Sequence, residues 1–137
     1  MNFIKYTFRS LFLIYVLGVF FASLYSFKNT SVNLSVFILG IRADRLVHFV
    51  MFFPFPLSAW LAFGTSIKKF AGRWSILALT FSGLLVSTIT ESLQSLNPNR
   101  DFDYFDLIAN YSAIFTGTIM VALIEKYAKN VWPCRLQ

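Results

Sequence analysis

Apolar residues dominate this chain in four blocks, and the charges are confined to the gaps between them. Residues 11–27, 46–67, 74–90 and 107–124 contain no Asp, Glu, Lys or Arg. A helix needs roughly 20 residues to cross a bilayer, within a range of about 17–25. Lipid offers no hydrogen bonds, so a crossing segment must satisfy its own backbone, as a helix does. With their flanks counted, the blocks predict helices over about 8–27, 46–67, 74–93 and 106–125. The expected fold class is all-α: a single domain over residues 1–137, an integral membrane bundle of four transmembrane helices. Pro54 and Pro56 fall inside the second block and predict a bend there, with backbone carbonyls freed near its middle. The first block is expected to remain as a span. Its apolar run exceeds the usual ~7–15 residues of a signal peptide, and no small-x-small cleavage site follows.

Composition agrees with the pattern. The chain is 57% hydrophobic and 13% charged, against about 25% charged residues in soluble domains. The net charge of +6 could suggest nucleic acid, but the basic residues lie in short runs between apolar blocks. That placement points to anionic lipid headgroups and argues against nucleic acid. Cys134 is the single cysteine, so no intrachain disulfide can form.

Basic residues also orient the bundle. Lys5, Arg9, Lys68, Lys69, Arg73, Lys126, Lys129 and Arg135 fall on one side, and Lys28, Arg42, Arg45 and Arg100 on the other. The richer side is expected to be cytoplasmic, which places both chain ends there and Trp74 and Trp132 at its interface. Asp44, Glu91, Asp101, Asp103 and Asp106 fall on the outer side, and Glu125 on the inner. The inner side then carries +7 and the outer −1. Residues 30–41 are too short to cross. They alternate Val32, Leu34, Val36 and Ile38 with Asn33, Ser35 and Phe37, which predicts an extended or interfacial piece, read as an outer interfacial segment packed on the helix ends.

Depth is the informative property of the polar residues. His48 lies 20 residues before Lys68 (48 to 68), Glu91 lies 18 after Arg73 (73 to 91), and Asn110 lies 16 before Lys126 (110 to 126). At 1.5 Å per residue these are roughly 30, 27 and 24 Å, in a hydrocarbon core about 30 Å thick. Three polar residues on three helices therefore reach the outer edge within about one turn of one another. Asp44 and His48 share a face at a spacing of four, and Glu91 and Gln94 at a spacing of three. Asp103, Asp106 and Asn110 form one stripe. The short turn at Asn97-Pro98-Asn99-Arg100 makes the last two helices antiparallel neighbours. Carboxylates at this depth need a partner or water, and Arg100, Arg45 and His48 are the candidates for Glu91.

These residues resemble the VanZ-like family of small bacterial membrane proteins. The first matching block is Asp44-Arg45-Leu46-Val47-His48-Phe49 with Phe52 and Phe53. The second is Glu91-Ser92-Leu93-Gln94, then Pro98-Asn99-Arg100, Asp103, Asp106 and Ala109-Asn110, ending near Gly117. Together they span residues 44–117. Arg45 stands where the family usually has Lys, Asn99 where Gly is common, and Ala113 where Gly is frequent. The resemblance implies a bacterial inner-membrane protein that alters the cell surface or its precursors, in a family whose name comes from low-level glycopeptide resistance.

Asp44, Arg45, His48, Glu91, Gln94, Arg100, Asp103, Asp106 and Asn110 are thus the candidate ligand-binding residues. Arg45 and Arg100 would grip a phosphate. The expected partners are membrane lipids and a lipid-linked envelope precursor. No cofactor is expected. A single His argues against a metal, although His48, Glu91, Asp103 and Asp106 could present atoms to a hard cation. Two rival readings use the same residues. As an enzyme, the chain would use His48 or Glu91 as an acid–base group on a lipid-linked substrate. As a structural cluster, the polar residues would only cap and tie helix ends, as Asp103 and Asp106 can do at a helix start. Ala113 and Gly117 form a small-x-x-x-small pair suited to helix packing.

Overall fold

The computed structural model describes residues 2–24, 37–38, 40–96 and 102–128. In chain order the elements are α1 (Asn2–Leu24), a hairpin of β1 (Phe37–Ile38) with β2 (Ile41–Arg42), α2 (Ala43–Phe52), α3 (Phe55–Ala71), α4 (Ser75–Gln94) and α5 (Tyr104–Tyr127). A 3-10 turn, Gly72–Trp74, joins α3 to α4. The hairpin is the described end of the predicted interfacial segment, and it is extended as the alternation implies. The rest of that segment, the Pro98-Asn99-Arg100 turn, Trp132 and Cys134 lie outside the described residues.

Three helical stretches are long and apolar enough to cross a membrane: Phe3–Leu24, Ala43–Gln94 and Tyr104–Tyr127. Their outward faces are largely apolar. Leu13, Ile14, Leu17 and Phe21 on α1, Leu77, Phe81 and Leu85 on α4, and Phe115, Ile119 and Leu123 on α5 are all exposed. Water would not tolerate so continuous an apolar surface, whereas lipid matches it. The chain is a small helical, multi-pass membrane protein.

The middle stretch holds 52 residues, which as one straight helix would be about 78 Å long. It turns back at Gly72, whose φ of 52° is costly for any residue with a Cβ. Beyond the turn, Ser75, Ile76 and Leu79 line one small cavity with Trp60, Gly64 and Ile67. Higher up, Gly83 sits against the Phe55 ring. α3 and α4 are therefore antiparallel neighbours. α4 and α5 are antiparallel too, as the short turn predicts. Thr80 Oγ1 bonds Thr118 Oγ1 at 3.3 Å, and Thr88 Oγ1 lies 2.7 Å from the Tyr111 hydroxyl.

The predicted span over 46–67 is broken rather than bent. α2 ends at Phe52 and α3 begins at Phe55, with Pro54 at its N-cap and Pro56 in its first turn. Proline is tolerated in a first turn, where the missing N–H would have had no partner. Neighbouring helices close on the break. The Tyr15 hydroxyl of α1 donates to the Met51 carbonyl. On α5, Gly117 faces Phe53 and Pro56 so closely that a Cβ there would lie 2.6 Å from the Phe53 carbonyl oxygen and 3.1 Å from Pro56 Cδ. Phe52, Val19, Ala113 and Ile114 pack on one side of the break, and Phe55, Ala59, Trp60, Leu79 and Val121 on the other.

Polar contacts identify the two ends of the bundle. At one end, Arg9 of α1 reaches Ser66 Oγ at 3.4 Å and lies over the Phe63 ring. There also, Lys68 Nζ is 3.8 Å from Glu125 Oε2, and Trp60 Nε1 donates to Glu125 Oε1 at 2.8 Å. This is the end with most of the described basic residues. At the other end meet the start of α2, the end of α4 and the start of α5.

Candidate functional site

The second end is built on Asp103. Its extended backbone, φ −108° and ψ 111°, makes it the N-cap of α5, and its Oδ1 accepts the Phe105 N–H at 2.8 Å. Its own N–H donates to Glu91 Oε1 on α4 at 3.3 Å. Its Oδ2 lies 3.5 Å from Arg42 Nη1, just ahead of α2. One residue thereby ties the ends of three helices. Arg42 also reaches Asp44 Oδ2 at 3.9 Å. Asp44, in the first turn of α2, is well placed against the helix dipole.

One turn deeper, α2 and α5 run side by side. His48 Nδ1 lies 3.2 Å from Asn110 Oδ1, and His48 Nε2 lies 3.7 Å from Asp106 Oδ2. All three side chains are buried. Asp44, His48 and Asp106 each bring one donor atom into a group whose members lie within 4.8 Å of one another. The spacing of four on α2 and the stripe on α5 explain this meeting. Each puts its polar residues on one face, and these faces oppose.

The sequence-predicted residues on α2, α4 and α5 are thus gathered at one end, and the expected pairing of Glu91 with Arg100 lies outside the described residues. Glu91 is buried and bonds the Asp103 backbone, whereas His48 bonds Asn110 and faces Asp106. Among the described residues Arg45 pairs with no carboxylate. Its guanidinium stacks 4.4 Å above the Phe105 ring, a favourable cation–π contact. Gln94 is buried at the end of α4, and Arg100 lies outside the described residues. The two acids at the start of α5 divide their work: Asp103 caps, while Asp106 points inward. Arg42 is the residue that sequence reasoning missed. Its position two residues before Asp44 was the available signal.

Several buried atoms here have no hydrogen-bond partner among the described residues: Asp106 Oδ1, Asn110 Nδ2, Gln94 Nε2 and Arg45 Nε. Buried polar groups are normally satisfied by protein or water, so these atoms have room for further partners beyond the described residues. At the far end Glu125 accepts from Trp60 and faces Lys68, while Arg9 Nε is buried there with no hydrogen-bond partner among the described residues.

Comparison with known protein families, curated proteins and solved structures yields no match for this chain.

Proposed function

We propose that the chain crosses a bacterial inner membrane four times, with both ends cytoplasmic. Its outer polar end would bind the phosphate-bearing headgroup of an anionic lipid or a lipid-linked envelope precursor. In this topology α1, α2 with α3, α4, and α5 are the four spans. The reversal at Gly72 supports it, and the gathering of the basic ends agrees with the positive-inside rule. The resemblance of residues 44–117 to VanZ-like proteins is the ground for proposing a role at the cell envelope.

The observation that carries the reading is Arg45. Arg42 serves Asp44 and Asp103, and Arg45 stacks on Phe105 with no carboxylate paired to it among the described residues. A guanidinium held by an aromatic face keeps its planar donors for an anion, and phosphate suits their geometry. Gln94 Nε2 and Asn110 Nδ2 have no hydrogen-bond partner among the described residues, which leaves donors that a ligand or water can take. The acid–base alternative needs His48 and Glu91 within reach of each other, directly or through one water; the direct contacts of His48 run to Asn110 and Asp106.

Arg45→Ala and Arg100→Ala are each expected to weaken retention of phosphatidylglycerol about 10-fold or more, the scale of a charge-assisted hydrogen bond of about 1.5–3 kcal/mol. Native mass spectra of the folded variants, with phosphatidylcholine as the reference lipid, measure it. Retention equal to that of the unaltered chain would contradict the proposal.

A further inference from the structure

We infer that Asp44, His48 and Asp106 form a binding site for a first-row divalent transition-metal ion. Their donor atoms come from two helices and lie within 4.8 Å of one another; two ligands at about 2.1 Å from one ion are at most about 4.2 Å apart, so binding would draw any wider pair together. The 3.7 Å between His48 Nε2 and Asp106 Oδ2 exceeds the ~3.2 Å limit of a good N–H···O hydrogen bond. It is close to the separation of about 3.4 Å between two donors that share one tetrahedral ion at about 2.1 Å each.

The imidazole is held in the right form for this. Asn110 Oδ1 lies 3.2 Å from Nδ1. A carbonyl oxygen only accepts, so it keeps the proton on Nδ1 and turns the lone pair of Nε2 toward the carboxylates. Metal-binding histidines are commonly oriented by such a bond from the second ring nitrogen.

An independent observation points the same way. The Asp106 side chain is 6% exposed, and its Oδ1 is buried with no hydrogen-bond partner. A buried carboxylate so poorly matched is costly in an apolar setting. A divalent ion supplies the missing counter-charge. Magnesium and calcium prefer all-oxygen shells, whereas an imidazole with two carboxylates suits zinc or manganese. Three protein ligands leave a coordination position open to solvent or an anion.

The ion site shares Asp44, His48 and Asp106 with the proposed headgroup end, but its test needs neither Arg45 nor Arg100 and no lipid, so the two readings can fail separately. The full chain would be purified in detergent without a histidine tag and in a Cys134→Ser background, stripped with chelator, then dialysed against Zn²⁺ or Mn²⁺. Elemental mass spectrometry is expected to find about one ion per chain, with a rise in melting temperature. Asp106→Asn and Asp44→Asn should each lower the affinity about 10-fold or more, while Glu125→Gln, at the far end, leaves it unchanged. Asp44 is the more exposed ligand and keeps the test informative should Asp106→Asn fail to fold. Absence of a bound ion, wild-type affinity in Asp44→Asn, or Ca²⁺ binding as tightly as Zn²⁺ would overturn the inference.

Discussion

Gly117→Ala is expected to destabilise the protein by about 1–3 kcal/mol, although alanine is the better helix former by about 1 kcal/mol. The sign comes from geometry. The added methyl would stand 2.6 Å from the Phe53 carbonyl oxygen and 3.1 Å from Pro56 Cγ and Cδ, and neither is the free end of a flexible side chain. α5 would have to move off the break between α2 and α3, which carries His48 away from Asn110. Gly18 on α1 is the matched control, since a methyl there meets nothing within 4 Å. Gly18→Ala should therefore stabilise by about 0.5–1 kcal/mol. Thermal unfolding of both variants in one detergent checks the pair, and equal shifts would contradict the packing described.

Glu91→Ala is expected to cost about 2–4 kcal/mol, well above the effect of a surface substitution. Its side chain is 1% exposed, so truncation leaves a cavity and removes the acceptor of the Asp103 N–H. Asp103 caps α5 and faces Arg42, so the loss spreads to the starts of α2 and α5. Glu91→Gln retains an acceptor oxygen and nearly the same volume, and is expected to recover at least half of the loss. Unfolding of the two variants side by side measures this. An alanine variant as stable as the glutamine variant would show that the α4–α5 tie contributes little.

Much of this arrangement was legible in the sequence, for definite reasons. Charge-free runs locate the helices, because lipid excludes charge and the residue rise converts directly to depth. Counting from Lys68, Arg73 and Lys126 is enough to bring His48, Glu91 and Asn110 to one end of the bundle, where the structure has them. Helical spacing also identifies the faces, so Asp103, Asp106 and Asn110 are correctly read as one stripe. Spacing within a helix says nothing of how neighbouring helices are rotated, however. The pairing of His48 with Asn110 and Asp106, and of Arg42 with Asp103, needed the fold. The same limit hid the meeting of Asp44 with Asp106, which sit on different helices. Pro54 and Pro56 announced a bend, whereas the contacts that Gly117 and Tyr15 make with it from α5 and α1 needed the fold.

The central claim is that the start of α2 and the end of α4 emerge on one face of the membrane, opposite the turn after α3. Single cysteines at Ile41, Leu96 and Phe70, all exposed, in a Cys134→Ser background allow a direct test with a membrane-impermeant maleimide on intact cells. Cysteines at 41 and 96 should label without permeabilisation, and the one at 70 only after it. Labelling of 41 and 96 from opposite faces would separate His48 from Glu91 and Asn110 and contradict the shared site.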